Sequence, residues 1–355
     1  MRRLFLALGA GLVAGAIVTA ASAADNIFII KGIHVDATAA SSSKAQIVAI
    51  GQGTPKAWAQ LYRKLTRQAD WGKQPKLDDA TLSRLLRGYE VANEKRSTTR
   101  YVADITYVFN PDAVQAVLKG ANIAFAESTA KTVMIIPLSP GYNLNSAWAR
   151  AWKDPQLANS VVPITLPTSD VNLSGVTLGG VKWADIQQAA LRVRATEAVI
   201  VQEAVNGNQI NVQMRRVGPG PQYGTNISVP VAPGQPPNEA LVSAAVAANQ
   251  VIADNWKNHA AVNYNVQNNL VADVRISSLD DWAGLQGRLA GISTIAAVNI
   301  VAMNTSQARL EIGYVGTLDQ LKDALRQQGL ALSGQQDGIW SLAQGAALET
   351  DGAVQ

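Results

Sequence analysis

The chain has no cysteine and only two histidines, His34 and His259, and each scarcity narrows what it can do. Without thiols there is no disulfide, no thiolate metal ligand and no thiol nucleophile, so stability must come from packed apolar cores. The histidines fall in different predicted domains, with no acidic neighbour at metal-ligand spacing, and His34, in a strand near Asp36, reads as a polar strand-end residue. There is no Gly-x-Ser-x-Gly elbow, and no glycine-rich loop follows the two buried strands of the middle region, so the signatures of a serine hydrolase and of a nucleotide site are missing. Charge is sparse too. The formal net charge of +4 includes Arg2 and Arg3 of a leader-like start, which leaves +2 on the processed chain, too little to call for nucleic acid.

What is present begins with that leader. A basic start is followed by an apolar run from Leu4 to Val18 and by Ala21-Ser22-Ala23, the pattern of a signal peptide cleaved just before Ala24. The expected location is the periplasm, with no transmembrane helix left after cleavage. With 355 residues, 48% of them hydrophobic, the chain is long enough for several folded domains.

The organising stretch is Thr132 to Leu138, an unbroken apolar run that reads as a fully buried central strand. Before it, residues 24–128 read as an α+β domain. A strand is expected over Asn26 to Val35. A helical pattern from Lys44 places Ala57, Trp58, Leu61, Tyr62 and Leu65 on one face, with Gly51, Gly53 and Pro55 interrupting it and Thr54 as an N-cap that restarts it. A short helix from Asp78 to Arg87, a hairpin of Tyr89 to Arg96 with Thr98 to Phe109, and a helix from Asp112 to Lys119 complete this domain.

Residues 129–260 read as an α/β domain. Its expected elements are strands over Val133 to Pro137, Val161 to Leu166 and Glu197 to Gln202, a helix from Lys182 to Arg192, a tight Asn206-Gly207-Asn208 hairpin into Gln209 to Val217, a further strand over Thr225 to Val231, and an Ala-rich helix capped by Asn238. Residues 261–345 follow the ferredoxin-like order βαββαβ with one extra short strand, and residues 346–355 form a tail.

Several of these motifs together carry a resemblance. Gly32-Ile-His-Val-Asp-Ala-Thr-Ala39, the helix through Trp58 and Leu61, the strand from Arg100-Tyr101 to Phe109 and the strand Val133 to Pro137 resemble the uncharacterised bacterial envelope family catalogued as domain of unknown function 2066, over roughly the first 200 residues. Pro55 departs from the continuous helix that this family implies. The N-terminal layout also resembles that of flagellar assembly protein T, and Val133 to Pro137 with Thr196 to Arg215 resembles the N-terminal domain of the envelope protein TolB. These resemblances imply an envelope setting. They imply no activity.

Candidate chemistry is thin. Asp78-Asp79 and Asp280-Asp281 sit at helix starts, where acidic groups favour the dipole. Tryptophans default to packing, except Trp71 in the polar loop from Ala69 to Lys73, which reads as exposed. The most uneven charge lies between Lys56 and Arg100, eleven basic residues against five acidic, so the candidate partner-binding residues are Lys56, Arg63, Lys64, Arg67 and Trp71. No catalytic, cofactor or metal residue is assigned. The expected function is a non-enzymatic binding or scaffold protein meeting envelope proteins or an anionic envelope surface. The alternatives are a hydrolase acting on envelope polymers, and a small-ligand carrier with an interdomain pocket.

Overall fold

The computed structural model describes residues 25–219, 223–336 and 338–344, so the expected signal peptide (1–23) and tail (346–355) lie outside the described residues. The chain is mixed α+β, with three sheets among the described residues.

The first sheet contains β1 (Ile29–Thr38), β2 (Leu86–Arg96) and β3 (Arg100–Phe109), in the antiparallel order β1-β3-β2. A 3-10 turn, Asp25–Phe28, occupies the start of the expected first strand and buries Ile27 and Phe28. Helix α1 (Ser42–Leu65) lies across this sheet as one element, not two. Thr54 does not cap a new helix; its hydroxyl donates back to the Ile50 carbonyl at 3.1 Å, and Tyr107 Oη donates to the same carbonyl at 2.7 Å. Gly53 is where the helix meets the sheet, since a Cβ there would lie 2.1 Å from Tyr107 Oη. Glycine and proline cost a helix interior roughly 1 and 3 kcal/mol. Burial of Trp58, Leu61, Tyr62 and Leu65, each worth about 1.5–3 kcal/mol, outweighs that. Helices α2 (Asp79–Leu85, capped by Asp78) and α3 (Pro111–Gly120, capped by Asn110) complete the unit.

The second sheet has the order β5-β4-β6-β7-β8, built from β4 (Val133–Leu138), β5 (Ile164–Thr165), β6 (Glu197–Asn206), β7 (Gln209–Val217) and β8 (Gly224–Pro230). All six residues of β4 are buried, as the apolar run predicts, and it runs parallel to both β5 and β6. The middle strand is β6, however, and only two residues of the expected strand over Val161 to Leu166 pair. One face of the sheet packs on α5 (Trp183–Arg192), through Met134, Ile136 and Ile200. The other packs on α4 (Ala147–Ala151) and α6 (Pro237–Ala260). Helix α6 begins after Pro236, so Asn238 lies inside its first turn and caps nothing. Trp148 and Trp152 meet edge to face at 5.5 Å, and the Trp148 indole donates to the Val201 carbonyl at 3.1 Å.

The core does not stop at the first unit. Ile27, Leu61 and Tyr107 belong to the same buried cluster as Ile135, Val201 and Ala248.

The third unit has its own core, built from residues such as Val274, Leu285, Ile312 and Leu325. Its sheet runs β10-β11-β9-β13-β12, from β9 (Gln267–Arg275), β10 (Ile295–Met303), β11 (Gln307–Val315), β12 (Leu330–Gln336) and β13 (Ile339–Gln344), with α7 (Leu279–Ala290) and α8 (Leu318–Gln327). The second strand of the closing hairpin, β13, lies beside β9 and runs parallel to it.

Candidate anion-binding cleft

A seam between the first two units carries three lysines in its lining. A cleft of about 840 Å³ lies between the start of β1, the end of α1 and the segment around a 3-10 turn, Pro155–Asn159; Lys31, Lys64, Trp152, Lys153 and Asp154 line it. A second lobe of about 460 Å³ shares Lys31 and Lys64 and adds Arg63, Asn249, Gln250 and Lys257.

Local irregularity in β1 places Lys31 at this seam. The register of β1 on β3 shifts between Ile30 and Ile33, and Gly32 takes φ 71°, the left-handed conformation that glycine adopts without a Cβ penalty. Asn159 fills the gap: its Oδ1 accepts from Lys31 N at 2.9 Å and its Nδ2 donates to Lys31 O at 2.9 Å. One side chain thus stands in for a strand partner. It also ties the first unit to the second.

Lys64 reaches the same strand, donating to the Ile29 carbonyl at 3.0 Å. Burial, and then the charge of Lys31, push its pKa down from 10.5 to about 8. Lys257 is 1% exposed and donates to Thr66 O at 2.6 Å and Arg63 O at 3.0 Å, with Asp254 Oδ1 at 2.9 Å. It therefore caps the C-terminal carbonyls of α1 with a cation, the charge that end of a helix favours. Burial lowers its pKa, and Asp254 opposes the shift.

The predicted partner-binding residues separate in space. Arg63 and Lys64 face the cleft lobes. Arg67 is committed to Asp70 at 2.8 Å, which also receives Lys73 at 2.9 Å. Burial raises the pKa of Asp70, but the hydrogen bonds from Lys73 and Arg67 win and hold it low. Trp71 is half-buried rather than exposed, packed on the core with the Arg63 guanidinium 5.2 Å and the Lys257 ammonium 5.7 Å from its ring centroid. Lys56 is exposed on α1 and lines neither lobe.

Lys31, Lys153, Lys257 and Asn159 escaped the sequence reading. Lys257 left a readable sign, because it continues the stripe Asn249, Ile252, Ala253 at helical spacing and so puts a cation on a buried face. Asn159 left none.

The two histidines stay apart from the cleft. His34 Nδ1 lies 2.9 Å from Asp104 Oδ1 on the first sheet, and Asp104 also accepts from Asn93 at 2.7 Å. His259 Nδ1 meets its own helix at Asn255 O. Among the described residues, no three His, Asp or Glu side chains could hold a metal ion, and no helix is long and apolar enough to cross a membrane.

Comparison with protein-family models, with curated proteins and with solved structures returned no match.

Proposed function

We propose that the chain is an exported, non-enzymatic binding or scaffold protein of the cell envelope, working in the periplasm through contacts with envelope proteins or an anionic envelope surface. One observation carries this reading: Lys31, Lys64 and Lys153 line a cleft in which Asp154 is the sole carboxylate among the described residues, and an Asp154 oxygen already accepts from Gln156 N at 2.9 Å. Such a surface favours a negatively charged group on a partner. The resemblances to the envelope family and to TolB support the setting. The ferredoxin-like reading of the third unit is part of the same proposal, with β13 taken as a strand inserted beside β9.

Reversible cross-linking in intact cells, followed by capture of the chain from Ala24, tests it. Capture of a defined envelope partner should be lost in a Lys31→Ala, Lys153→Ala double variant and kept in a Lys56→Ala, Arg67→Ala variant. A partner captured equally by both, or by neither variant nor the parent, would overturn the reading.

A second reading, a small-ligand carrier, is favoured by a separate apolar pocket of about 510 Å³ walled by Val162, Tyr223, Ile252 and Trp256. Native mass spectrometry of the chain purified from its host checks it. A stoichiometric copurified ligand, lost on Ile252→Trp, is the expected result for a carrier.

A further inference from the structure

The outer strand of the third sheet lacks the features that keep a sheet edge single. β10 pairs with β11 alone among the described strands, so one row of its backbone N–H and C=O groups faces outward. Such rows are usually guarded by charge or proline. The outer strand β2 of the first sheet carries Arg87, Glu90, Glu94, Lys95 and Arg96, whereas Ile295-Ala-Ala-Val-Asn-Ile-Val-Ala-Met303 holds neither a charged residue nor a proline. Its apolar side chains also meet solvent: Ile300, Val301 and Met303 are 49, 57 and 41% exposed.

The register on β11 shows which face these side chains share. Ile295, Val298, Ile300 and Met303 lie opposite Tyr314, Ile312, Leu310 and Ala308, the row of β11 that builds the third core. Ile295 and Val298 pack against that core, and Ile300 and Met303 extend the row beyond it. The row is symmetric about Asn299. An antiparallel partner related by a two-fold axis there sets Ile295 opposite Met303 of a second copy, and Val298 opposite Ile300 of that copy. The two register shifts of the strand flank Asn299, one between Ile295 and Ala297 and one between Ile300 and Ala302. Bulges increase twist, and two identical strands carry the same twist.

We propose that β10 is a dimerisation strand, pairing antiparallel with β10 of a second copy of this chain about a two-fold axis at Asn299 and continuing one sheet across both copies. The inference goes beyond the scaffold reading and does not use the lysine cleft, which lies between the other two units. An identical strand is the occupant that the pattern selects, because a two-fold interface must be complementary to itself. Self-pairing brings no like charges together, satisfies the outward backbone groups and covers Ile300 with Val298. Nine paired residues make a joint about 30 Å long, near the lower bound of about 1,000 Å² in total for a specific interface. The dimer is therefore weak and forms as concentration rises.

Sedimentation velocity on the chain from Ala24, from low micromolar to submillimolar concentration, provides the test. A reversible monomer–dimer equilibrium is expected. Residue 299 faces its own copy across the axis, so Asn299→Lys and Asn299→Glu each set like charges about 5 Å apart and should weaken the dimer at least about tenfold. An equimolar mixture of the two variants should recover it, because opposite charges then meet. Recovery also rules out misfolding as the cause of the loss. Val205→Lys, at an exposed site in the second unit, should leave the equilibrium unchanged. A monomer at every concentration, a dimer indifferent to both Asn299 variants, loss in both without recovery in the mixture, or assembly beyond the dimer would overturn the proposal.

Discussion

Where the first unit meets the second, a buried lysine closes a helix from the neighbouring unit and a single hydrophobic core runs through the joint. Where the third unit meets the rest, the contact is thinner. Phe125 and Val262 exchange backbone hydrogen bonds at 3.2 and 3.0 Å, Phe125 stacks on Tyr264 at 5.3 Å, and Gln320 Nε2 donates to the His259 and Ala261 carbonyls. The cores on either side stay separate. Apolar burial is the dominant favourable term, so a shared core makes two units unfold together, while a hydrogen-bonded joint lets them unfold in turn. The chain should therefore behave as two cooperative bodies rather than three.

The strongest way to break that comparison is Lys257→Met. The substitution keeps the stem and removes the ammonium, leaving the Arg63 and Thr66 carbonyls without that donor and Asp254 without its cation, with only the Gln68 N–H still donating to it at 3.3 Å among the described contacts. Loss of one member of a buried pair costs about 3–5 kcal/mol. In urea, the transition of the two-unit body should move to lower concentration while the third unit's transition stays put. Equal shifts in both would show one cooperative unit, against the separate cores.

A smaller effect is expected at Gly53→Ala, inside the same body. The new methyl would meet Tyr107 Oη at 2.1 Å and Val35 Cγ1 at 2.9 Å, and overpacking of this kind costs about 1–3 kcal/mol. Gly51→Ala, two residues earlier, meets nothing within 4 Å and should stabilise the helix slightly. If the two variants matched in melting temperature, the close approach of α1 to the sheet would be wrong.

These positions also show what the sequence could and could not disclose. The spacing of Trp58, Leu61 and Leu65 revealed which face of α1 is buried, because that face repeats locally. Its continuity was hidden, because Gly53 and Pro55 are helix breakers in isolation and become acceptable only once the helix packs on the sheet, where Tyr107, more than fifty residues away, meets Gly53 and donates to the Ile50 carbonyl. The apolar run of β4 announced burial on both faces. Its place beside the middle strand instead of in it depends on which strands pair, and no local pattern holds that information. The cleft was half legible: Arg63 and Lys64 stood out as charge on a helix, whereas Lys31 and Asn159 met only through the fold. Trp71 looked solvent-facing in a polar loop, yet it packs beneath two cations.

Acid offers a comparison without substitution. The Asp70 side chain is 6% exposed and held by Arg67 and Lys73, while the Asp273 side chain is 23% exposed and held by Arg309 in the third unit. Both carboxyls titrate below their ordinary value of 3.8. The folded state binds these protons less readily than the unfolded state, so each contribution is complete above pH 3.8 and disappears as pH falls through the folded value. Asp70→Asn should flatten the acid dependence of the two-unit transition and leave that of the third unit unchanged.

The smallest effect belongs to Gln320→Ala at the thin joint. Gln320 is doubly engaged, since its Oε1 accepts from Thr317 N at 3.0 Å in a capping box and its Nε2 reaches back to the end of α6. Loss of the capping box and of the two carbonyl contacts, all near solvent, costs about 1–2 kcal/mol. Thr317→Ala removes the hydroxyl that completes the box while leaving Gln320 free to bridge the joint. Limited proteolysis between residues 260 and 266 separates the two roles. Faster cleavage in the Gln320 variant but not in the Thr317 variant would assign the glutamine to the joint, and equal cleavage would reduce it to a helix cap.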